Sequence, residues 1–336
     1  MTDERLNSWL ASVSVLPDVG RIGVFNAWPE LDLPGVEMER VRAVQPMAGP
    51  HKALVERGFN TAKVVNYRYD AVILRLPRQK ALALAYLKDA VRRIPDNAPI
   101  IVDGQKTDGI ESFLKLCRKR FDVREVVSKA HGKLFWFEKA GLEEDVMKVL
   151  DLPEMTPRET SSGFCTAPGV FSADGPDAAS VFLAEHLPVL RGCVVDLGAG
   201  WGYLSRRILE KSQPDALHLV EADYLAVQCA EKNVTDDVAV FHWDDALSWK
   251  PERAVDHVVM NPPFHQGRAV DARLGQDFIR AAARLLEPKG SLWLVANRHL
   301  PYETVLEDTF RSVQPLAQTP SFKLFHATSP KRSRKG

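Results

Sequence analysis

The feature that most constrains the fold is an apolar stretch that runs directly into alternating glycines and then into a helical segment. Residues 194–202 read Val-Val-Asp-Leu-Gly-Ala-Gly-Trp-Gly, and amphipathic residues follow over Tyr203–Lys211. A buried strand, a tight glycine turn and a helix in this order begin a βαβ unit, whose next strand returns parallel to the first. The pattern therefore predicts a parallel sheet with helices packed on it and argues against an all-helical fold.

Further apolar segments predict the other strands of this sheet. The strands are predicted at residues 193–197, 218–221, 238–242, 257–260 and 291–295, with a helix at 278–286. The first half has similar candidates at residues 21–25, 71–74 and 100–102. We therefore predict an α/β chain of two tandem Rossmann-like domains, residues 1–160 and 161–336, each a mostly parallel sheet with helices on both faces. A Pro/Gly/Ser/Thr-rich stretch over 152–176 is predicted to link them.

Composition narrows the class of protein. With 336 residues, 45% of them hydrophobic and 26% charged, the chain has the profile of a folded protein of two domains. The 44 basic residues balance the 44 acidic ones, which argues against a uniformly basic nucleic-acid coat protein. A local basic segment is left open as an RNA contact or a solvated helix face; it comprises Lys115, Arg118, Lys119, Arg120 and Arg124.

Cysteine spacing and hydropathy predict the compartment. The four cysteines lie far apart without a Cys-x-x-Cys pair, so neither a zinc site nor a disulfide framework is expected, and we predict no metal. No signal peptide and no apolar run of membrane-spanning length is recognised in the sequence. We expect a monomer in the cytoplasm that makes no contact with a membrane.

An internal repeat is suggested by two matching segments. Residues 70–77 (Asp-Ala-Val-Ile-Leu-Arg-Leu-Pro) resemble residues 256–263 (Asp-His-Val-Val-Met-Asn-Pro-Pro), since each begins with Asp, continues through at least three apolar residues and ends in Pro. The elements that follow come in the same order but at different spacing, so chance similarity remains the alternative. If the repeat is real, the first copy has lost its chemistry, because Arg75 stands where the second has Asn261.

The glycine loop predicts a nucleotide-like cofactor. Gly198, Gly200 and Gly202 let the backbone turn sharply and approach a ligand, and the following helix offers free N–H groups. A dinucleotide fingerprint requires a glycine where Tyr203 stands and does not explain Asp196. An S-adenosylmethionine loop fits both, and we assign Ala199 to the same site.

Carboxylates at the ends of the next two strands complete this site. Glu221 closes the second strand, where a carboxylate can accept from two ribose hydroxyls, and Ala222 follows it. Asp244 and Asp245 follow the third strand, where one of them can accept from the adenine amine. The sequence does not decide between these two.

The reacting centre is predicted at Asn261-Pro262-Pro263-Phe264-His265, which follows the fourth strand. The Asn261 amide oxygen and the Pro262 carbonyl can accept the two protons of an exocyclic amine and direct its lone pair at a methyl donor. Phe264 offers a face on which a planar base stacks. Pro263 and His265 are placed beside the substrate, although a packing role for His265 is equally open.

These motifs resemble the bacterial small-subunit ribosomal RNA guanine-N2 methyltransferases of the RsmC type. The resemblance runs through residues 168–175 (Pro-Gly-Val-Phe-Ser-Ala-Asp-Gly), the glycine loop, residues 261–267, residues 296–302 (Ala-Asn-Arg-His-Leu-Pro-Tyr) and residues 322–325. It implies two class I methyltransferase-like domains, of which only the second binds S-adenosylmethionine and the first assists folding and RNA binding. It also implies that Gly169–Phe171 line the cofactor pocket and that Asn261, Pro262 and Phe264 hold the guanine; Arg298, in one of the matched segments, is assigned to the substrate.

Other functions remain open at this stage. A sister family modifies large-subunit ribosomal RNA with a similar turn, and related turns methylate a protein glutamine amide or a DNA adenine. Phe264-His265 argues against the last two, which commonly have Tyr or Trp after the prolines. A non-catalytic RNA-binding assembly factor with a vestigial pocket is the alternative outside the enzymes, and the intact loop, acid and turn argue against it.

Overall fold

The computed structural model describes residues 4–139, 149, 151–263, 265–266, 269–270 and 272–331, with the backbone alone at 265–266 and 269–270. The chain divides into two compact units, Met1–Thr156 and Pro157–Gly336. Each contains one seven-stranded sheet. The division falls at residue 157, whereas the sequence placed it at residue 161.

The first unit has four described helices and seven strands. The helices are α1 (Glu4–Leu10), α2 (Ala48–Glu56), α3 (Lys80–Arg93) and α4 (Ile110–Arg118). The strands are β1 (Ile22–Phe25), β2 (Val41–Val44), β3 (Asn60–Ala62), β4 (Ala71–Arg75), β5 (Pro99–Gln105), β6 (Arg124–Lys129) and β7 (Gly132–Glu138). Their order is β3-β2-β1-β4-β5-β7-β6, and only β7 and β6 run antiparallel to their neighbours. Buried side chains alternate between two apolar clusters, as expected of a sheet covered on both faces.

The second unit repeats this architecture. Its helices are α5 (Ala178–His186), α6 (Tyr203–Lys211), α7 (Tyr224–Asn233), α8 (Ala272–Leu285) and α9 (Glu303–Thr309). Its sheet contains β10 (Cys193–Leu197), β11 (Ala216–Glu221), β12 (Ala239–Trp243), β13 (Val255–Met260), β16 (Leu286–Asn297), β17 (Phe310–Gln318) and β18 (Phe322–Pro330). Short hairpins are formed by β8 (Arg158–Glu159) with β9 (Cys165–Thr166) and by β14 (His265–Gln266) with β15 (Ala269–Val270). The order β12-β11-β10-β13-β16-β18-β17 matches that of the first sheet strand for strand.

The predicted fold class is confirmed, with corrections to the bounds of one strand, one helix and the linker. Every predicted strand exists, but the strand predicted at 291–295 extends over Leu286–Asn297 and the helix predicted at 278–286 begins at Ala272. The predicted linker was wrong for residues 157–176, which belong to the second unit. These residues form a hairpin and then lead into α5. Their backbone polar groups are hydrogen-bonded within the unit; the Ala173 carbonyl, for example, accepts from Thr166 Oγ1 at 2.7 Å.

One local arrangement occurs in both units and supports the internal repeat. A glycine with positive φ precedes the central strand, Gly20 in the first unit and Gly192 in the second. The next backbone N–H donates to an aspartate at the start of the neighbouring strand, to Asp70 just before β4 at 2.7 Å and to Asp256 in β13 at 2.8 Å. A Cβ on either glycine would lie 2.2 Å from that carboxylate, so only glycine fits.

Candidate active site

The glycine loop joins β10 to α6 at the carboxyl edge of the second sheet. Gly198, Gly200 and Gly202 all have positive φ, of 78°, 56° and 87°. The N–H groups of Gly198 and Ala199 both donate to the Val220 carbonyl, at 2.9 and 3.1 Å, which ties the loop to β11. A Cβ on Gly200 would meet no atom within 4 Å, so the backbone here faces open space. The loop is thus built to let a ligand approach its main chain.

Asp196 lies beneath this loop and is fully buried. Its Oδ2 accepts from the backbone N–H of Ser205 at 3.0 Å and from the Ser205 hydroxyl at 2.7 Å, which fixes the first turn of α6. Its Oδ1 is buried and has no partner among the described residues. Burial raises the pKa of Asp196 to about 7, against the lowering effect of the Ser205 hydrogen bonds.

Glu221, at the end of β11, holds the loop from the side. Its Oε2 accepts from the Gly200 N–H and its Oε1 from the Asp223 N–H, each at 2.8 Å. Burial raises the pKa of Glu221, against these hydrogen bonds. Asp223 caps α7 by accepting from the Leu225 N–H at 3.0 Å, and burial together with the charge of Glu221 raises its pKa to about 7. The site therefore concentrates acidic groups that a bound cation would favour in their ionised form.

The segment before α5 is fastened over the glycine loop. Trp201 Nε1 donates to the Phe171 carbonyl at 2.9 Å, and Asn233 Nδ2 donates to the carbonyls of Trp201 and Cys165, each at 2.8 Å. The Phe171 side chain is 58% exposed, which is unusual for a residue of its size. This arrangement brings Phe171 to the edge of the cavity that Gly198–Gly200 line.

Asn261 closes the same cavity at the end of β13. Its Nδ2 donates to Asp177 Oδ2 and to Ser180 Oγ, each at 2.9 Å. Asp177 Oδ2 also accepts from the Ser180 N–H at 3.0 Å, so Asp177 caps α5. Both bonds use the amide nitrogen of Asn261, which is thus directed at α5, and the amide oxygen takes no part in these two bonds.

The remaining predicted site residues have different surroundings. Gly202 faces the protein interior, since a Cβ there would lie 3.1 Å from Val234, so its role is to let α6 pack. Asp245 Oδ1 accepts from the Leu247 N–H at 2.9 Å, whereas Asp244 is exposed and accepts from the Asp245 N–H at 2.7 Å. The others are half-buried Ala222, buried Pro262, and exposed Pro263 and Arg298. Phe264 lies outside the described residues, and at 265 only the backbone, in β14, is described.

Besides Trp201 and Asp223, four residues that hold the site in place were not predicted from the sequence. Ser205 and Asn233 hold the glycine loop, and Asp177 and Ser180 hold Asn261. Only Asp177 has a local signal, because an Asp three residues before a Ser at the start of an amphipathic segment is typical of a helix cap. The others act through contacts between distant parts of the chain, which spacing alone does not reveal.

In the first unit, the equivalent sheet edge is closed by side chains. Gln45 stands at the position of Glu221, and its Oε1 accepts from the Met47 N–H at 2.8 Å as Glu221 Oε1 accepts from the Asp223 N–H. The other branch differs, because Gln45 Nε2 donates to the Ala27 carbonyl, whereas Glu221 Oε2 accepts from the Gly200 N–H. Arg75 stands at the position of Asn261 and packs over the Trp28 ring, 4.6 Å from its centre. Asp103 pairs with Arg75 at 3.6 Å and with buried Arg5 at 2.6 Å. These contacts place side chains where the second unit has the residues that line its cavity, and the loss of chemistry in the first unit stays a prediction.

Two features are absent from the part of the chain that the structure describes. No group of three or more His, Cys, Asp or Glu side chains is arranged to hold a metal ion. No helix there is both long and apolar enough to cross a membrane.

Comparison with known proteins agrees with this architecture. The sequence model of the methyltransferase small domain matches residues 161–326, and that of its N-terminal domain matches residues 40–148. The fold and the site thus define a methyltransferase with two tandem domains. Relatives named ribosomal RNA small subunit methyltransferase C are 30% identical in Hahella chejuensis (272 residues; 77% of this chain, 78% of the relative) and in Shewanella pealeana (263 residues; 76% of each). This chain belongs to that family.

A solved structure extends the match to almost the whole chain. It is the T. thermophilus 16S rRNA N2-guanine methyltransferase, RsmC, in complex with AdoMet and guanosine. The two are 26% identical with a TM-score of 0.78, over 97% of this chain and 92% of the other. The tandem fold predicted from the sequence is therefore that of a solved member of the family.

Proposed function

We propose that this chain transfers a methyl group from S-adenosylmethionine to the exocyclic N2 amine of a guanine in small-subunit ribosomal RNA. The observation that carries the proposal is the position of Asn261, whose amide nitrogen is bonded to α5 while the residue lines the cavity of the glycine loop. An acceptor is thereby available beside the place where a nucleotide-like cofactor would lie. The family relatives act on this class of RNA by name.

The residues present fit S-adenosylmethionine. Its sulfonium makes the attached methyl group electrophilic, and its ammonium adds a second positive charge. Gly200 leaves space next to the main chain, Glu221 offers a carboxylate to ribose hydroxyls, and Asp196 has a buried oxygen without a described partner. Phe171, Gly198, Ala199 and Ala222 are proposed to line the same pocket, with Asp244 or Asp245 toward the adenine. Asp244 is favoured for that contact because Asp245 is bonded to its own turn.

The chain contributes alignment to the chemistry. The Asn261 amide oxygen and the Pro262 carbonyl are proposed to accept the two N–H groups of the guanine amine, which turns the nitrogen lone pair out of conjugation and toward the methyl donor. Orientation of this kind can lower a barrier by about 7–11 kcal/mol at its limit. Phe264 is proposed to stack on the base, and Pro263 and His265 to border it. No dedicated general base is needed, since the proton can leave after transfer.

The target guanine has to leave its stack, which costs a few kcal/mol. RNA contacts elsewhere are proposed to offset this cost. Arg298 is exposed after β16, at the sheet edge where Asn261 lies, and Lys115, Arg118 and Lys119 are exposed on or just after α4. With residues 1–160 as the RNA-binding and structural half and residues 161–336 as the catalytic half, we propose a cytoplasmic monomer that acts on the small ribosomal subunit or its precursors.

The decisive experiment measures transfer of a labelled methyl group to undermodified small subunits, large subunits and naked ribosomal RNA, followed by nucleoside analysis. N2-methylguanosine in small-subunit RNA is expected. Label in large-subunit RNA, in protein glutamine or in DNA adenine would replace the proposed substrate, and binding of RNA without any transfer would favour an assembly factor.

The chemistry itself is tested with Asn261→Ala. This variant is expected to lose methyl transfer because the amine is no longer oriented, while its dissociation constant for S-adenosylmethionine stays close to that of the parent. Equal activity in the variant would remove the orienting role of Asn261.

A further inference from the structure

We infer that Asp177 and Ser180 are positioning residues that set the orientation of the Asn261 side-chain amide and so determine which of its two ends faces the substrate amine. The inference rests on the proposed function, since it concerns the same reaction. Neither residue belongs to the glycine loop or to the Asn-Pro-Pro turn. Both lie at the start of α5, 84 and 81 residues before Asn261.

The two ends of an asparagine amide have opposite chemistry. The oxygen accepts hydrogen bonds, and the NH₂ group donates two. An exocyclic amine is itself a donor, so only the orientation with the oxygen toward the substrate can hold it. A rotation of 180° would oppose two donors and abolish the alignment.

Both N–H groups of Asn261 Nδ2 have an acceptor on α5. One is Asp177 Oδ2 and the other is Ser180 Oγ, each at 2.9 Å. The flipped amide would place its oxygen against the Asp177 carboxylate, which is electrostatically unfavourable. A hydrogen bond to an ionised carboxylate is stronger than one between neutral groups, so Asp177 provides the larger share of the preference.

The acceptors are themselves held in place. Asp177 Oδ2 accepts from the Ser180 N–H at 3.0 Å as the cap of α5, and Ser180 is buried, at 8% exposure. The start of the helix, its cap and the reacting amide thus form one bonded unit. Asp177 and Ser180 also line the cavity of the glycine loop together with Asn261, which places them close enough to affect the reaction and not only the helix.

A donor–acceptor exchange tests this arrangement. In Asn261→Asp the new carboxylate would oppose that of Asp177, so kcat is expected to fall by about 100-fold, the size of a misplaced reacting group. In the double variant Asp177→Asn with Asn261→Asp, the opposition of two carboxylates is removed and the new amide nitrogen at 177 can donate to the new carboxylate at 261. It does so in place of the bond from the Ser180 N–H, because both contacts use the same atom, Asp177 Oδ2. We expect kcat of the double variant to exceed that of Asn261→Asp by about 10-fold, since one well-placed hydrogen bond is restored.

Single variants and a helix control separate positioning from capping. Asp177→Ala is expected to lower kcat by about 10–100-fold, and Ser180→Ala by a few-fold, with the dissociation constant for S-adenosylmethionine within about 3-fold of the parent. Ala178→Gly weakens the same helix at an exposed position that does not touch Asn261 and should keep the parental kcat. Circular dichroism verifies that each variant is folded.

The outcomes are distinguishable. If the parent protein does not methylate ribosomal RNA, the proposed function fails. If the parent is active but the double variant is no better than Asn261→Asp, or if Ala178→Gly loses as much kcat as Asp177→Ala, the positioning role is refuted. A rise in the dissociation constant for S-adenosylmethionine without a change in kcat in Asp177→Ala would show instead that Asp177 binds the cofactor.

Discussion

Two glycines of the loop have different structural roles, which the sequence does not distinguish. Gly200 and Gly202 both have positive φ, but Gly200 faces open space and Gly202 faces α7. The motif alone predicts that both are glycine. Only the packing around each shows that one glycine leaves room for a ligand and the other leaves room for a helix.

Because of this difference, two alanine substitutions are expected to affect different properties of the protein. Gly200→Ala should cost about 1–2 kcal/mol of stability for its left-handed backbone and should strongly weaken S-adenosylmethionine binding, because the Cβ enters the ligand space. Gly202→Ala should lose more stability, since its Cβ would lie 3.1 Å from Val234 and 3.3 Å from Ala230. Thermal unfolding and equilibrium dialysis measure the two effects. Cofactor affinity that survives Gly200→Ala would contradict the assignment of this space to the ligand.

At the level of elements, the ends of β10 and β11 bring acidic groups together. Asp196 lies in β10, Glu221 closes β11 and Asp223 caps the helix that follows. Burial raises the pKa of each, to about 7 for Asp196 and Asp223. Each folded-state pKa therefore exceeds the value near 4 of an unfolded carboxyl group.

A dependence on pH follows from this direction of shift. Between about pH 4 and 7 these three groups bind more protons in the folded, ligand-free protein than in the unfolded chain, so their contribution to stability is greatest at the acidic end and falls as the pH rises. S-adenosylmethionine, with net positive charge, favours the ionised carboxylates, so its affinity should rise through pH 7 and level off above about pH 8. Calorimetric titration from pH 5.5 to 8.5 checks this expectation. Asp223→Asn, which still caps α7, should flatten the profile, and an affinity independent of pH in the parent would contradict the account.

The elements that the sequence predicted share a physical property. Central parallel strands such as β10 and β13 are apolar and almost wholly buried, so they stand out in the sequence. The edge strands β6 and β17 were not predicted, because they are mostly exposed and carry polar residues and, in β17, Pro315. The glycine loop and Asn261 were recognised in the sequence because their signals are local. Their supports on α5 and α7 were missed because the contacts join residues far apart in the chain.

For the whole molecule, one sheet edge carries an open site and the corresponding edge of the other sheet is filled. In the first unit, Asp103 joins Arg5, from the amino-terminal helix, to Arg75, with Arg5 and Asp103 each 4% exposed. Arg5 also donates to the carbonyls of Lys129 and Gly104. This network joins the amino-terminal helix to the carboxyl edge of the first sheet.

Asp103→Ala is expected to destabilise the first unit by about 3–5 kcal/mol, because it leaves a buried guanidinium without its counter-charge. Glu56→Ala is the matched control; it breaks a pair with Lys52 whose side chains are 65% and 79% exposed, and should change stability by less than about 1 kcal/mol. Denaturant unfolding followed by hydrogen exchange assigns the loss to residues of either unit. S-adenosylmethionine affinity below the unfolding transition should not change, and a loss there would show that the two units depend on each other for binding.

The contact between a glycine and an aspartate at the start of the central strand of each sheet also bears on how the two units are related in evolution. Gly20 with Asp70 and Gly192 with Asp256 lie at the amino ends of their strands, whereas the glycine loop lies at the carboxyl edge, yet both units have this contact. Positions under steric constraint alone can outlast a lost activity. Such positions are therefore more useful than the reacting residues for aligning the two halves of such chains. They also help to recognise a repeat unit that has none of the ligand-binding residues of the other unit.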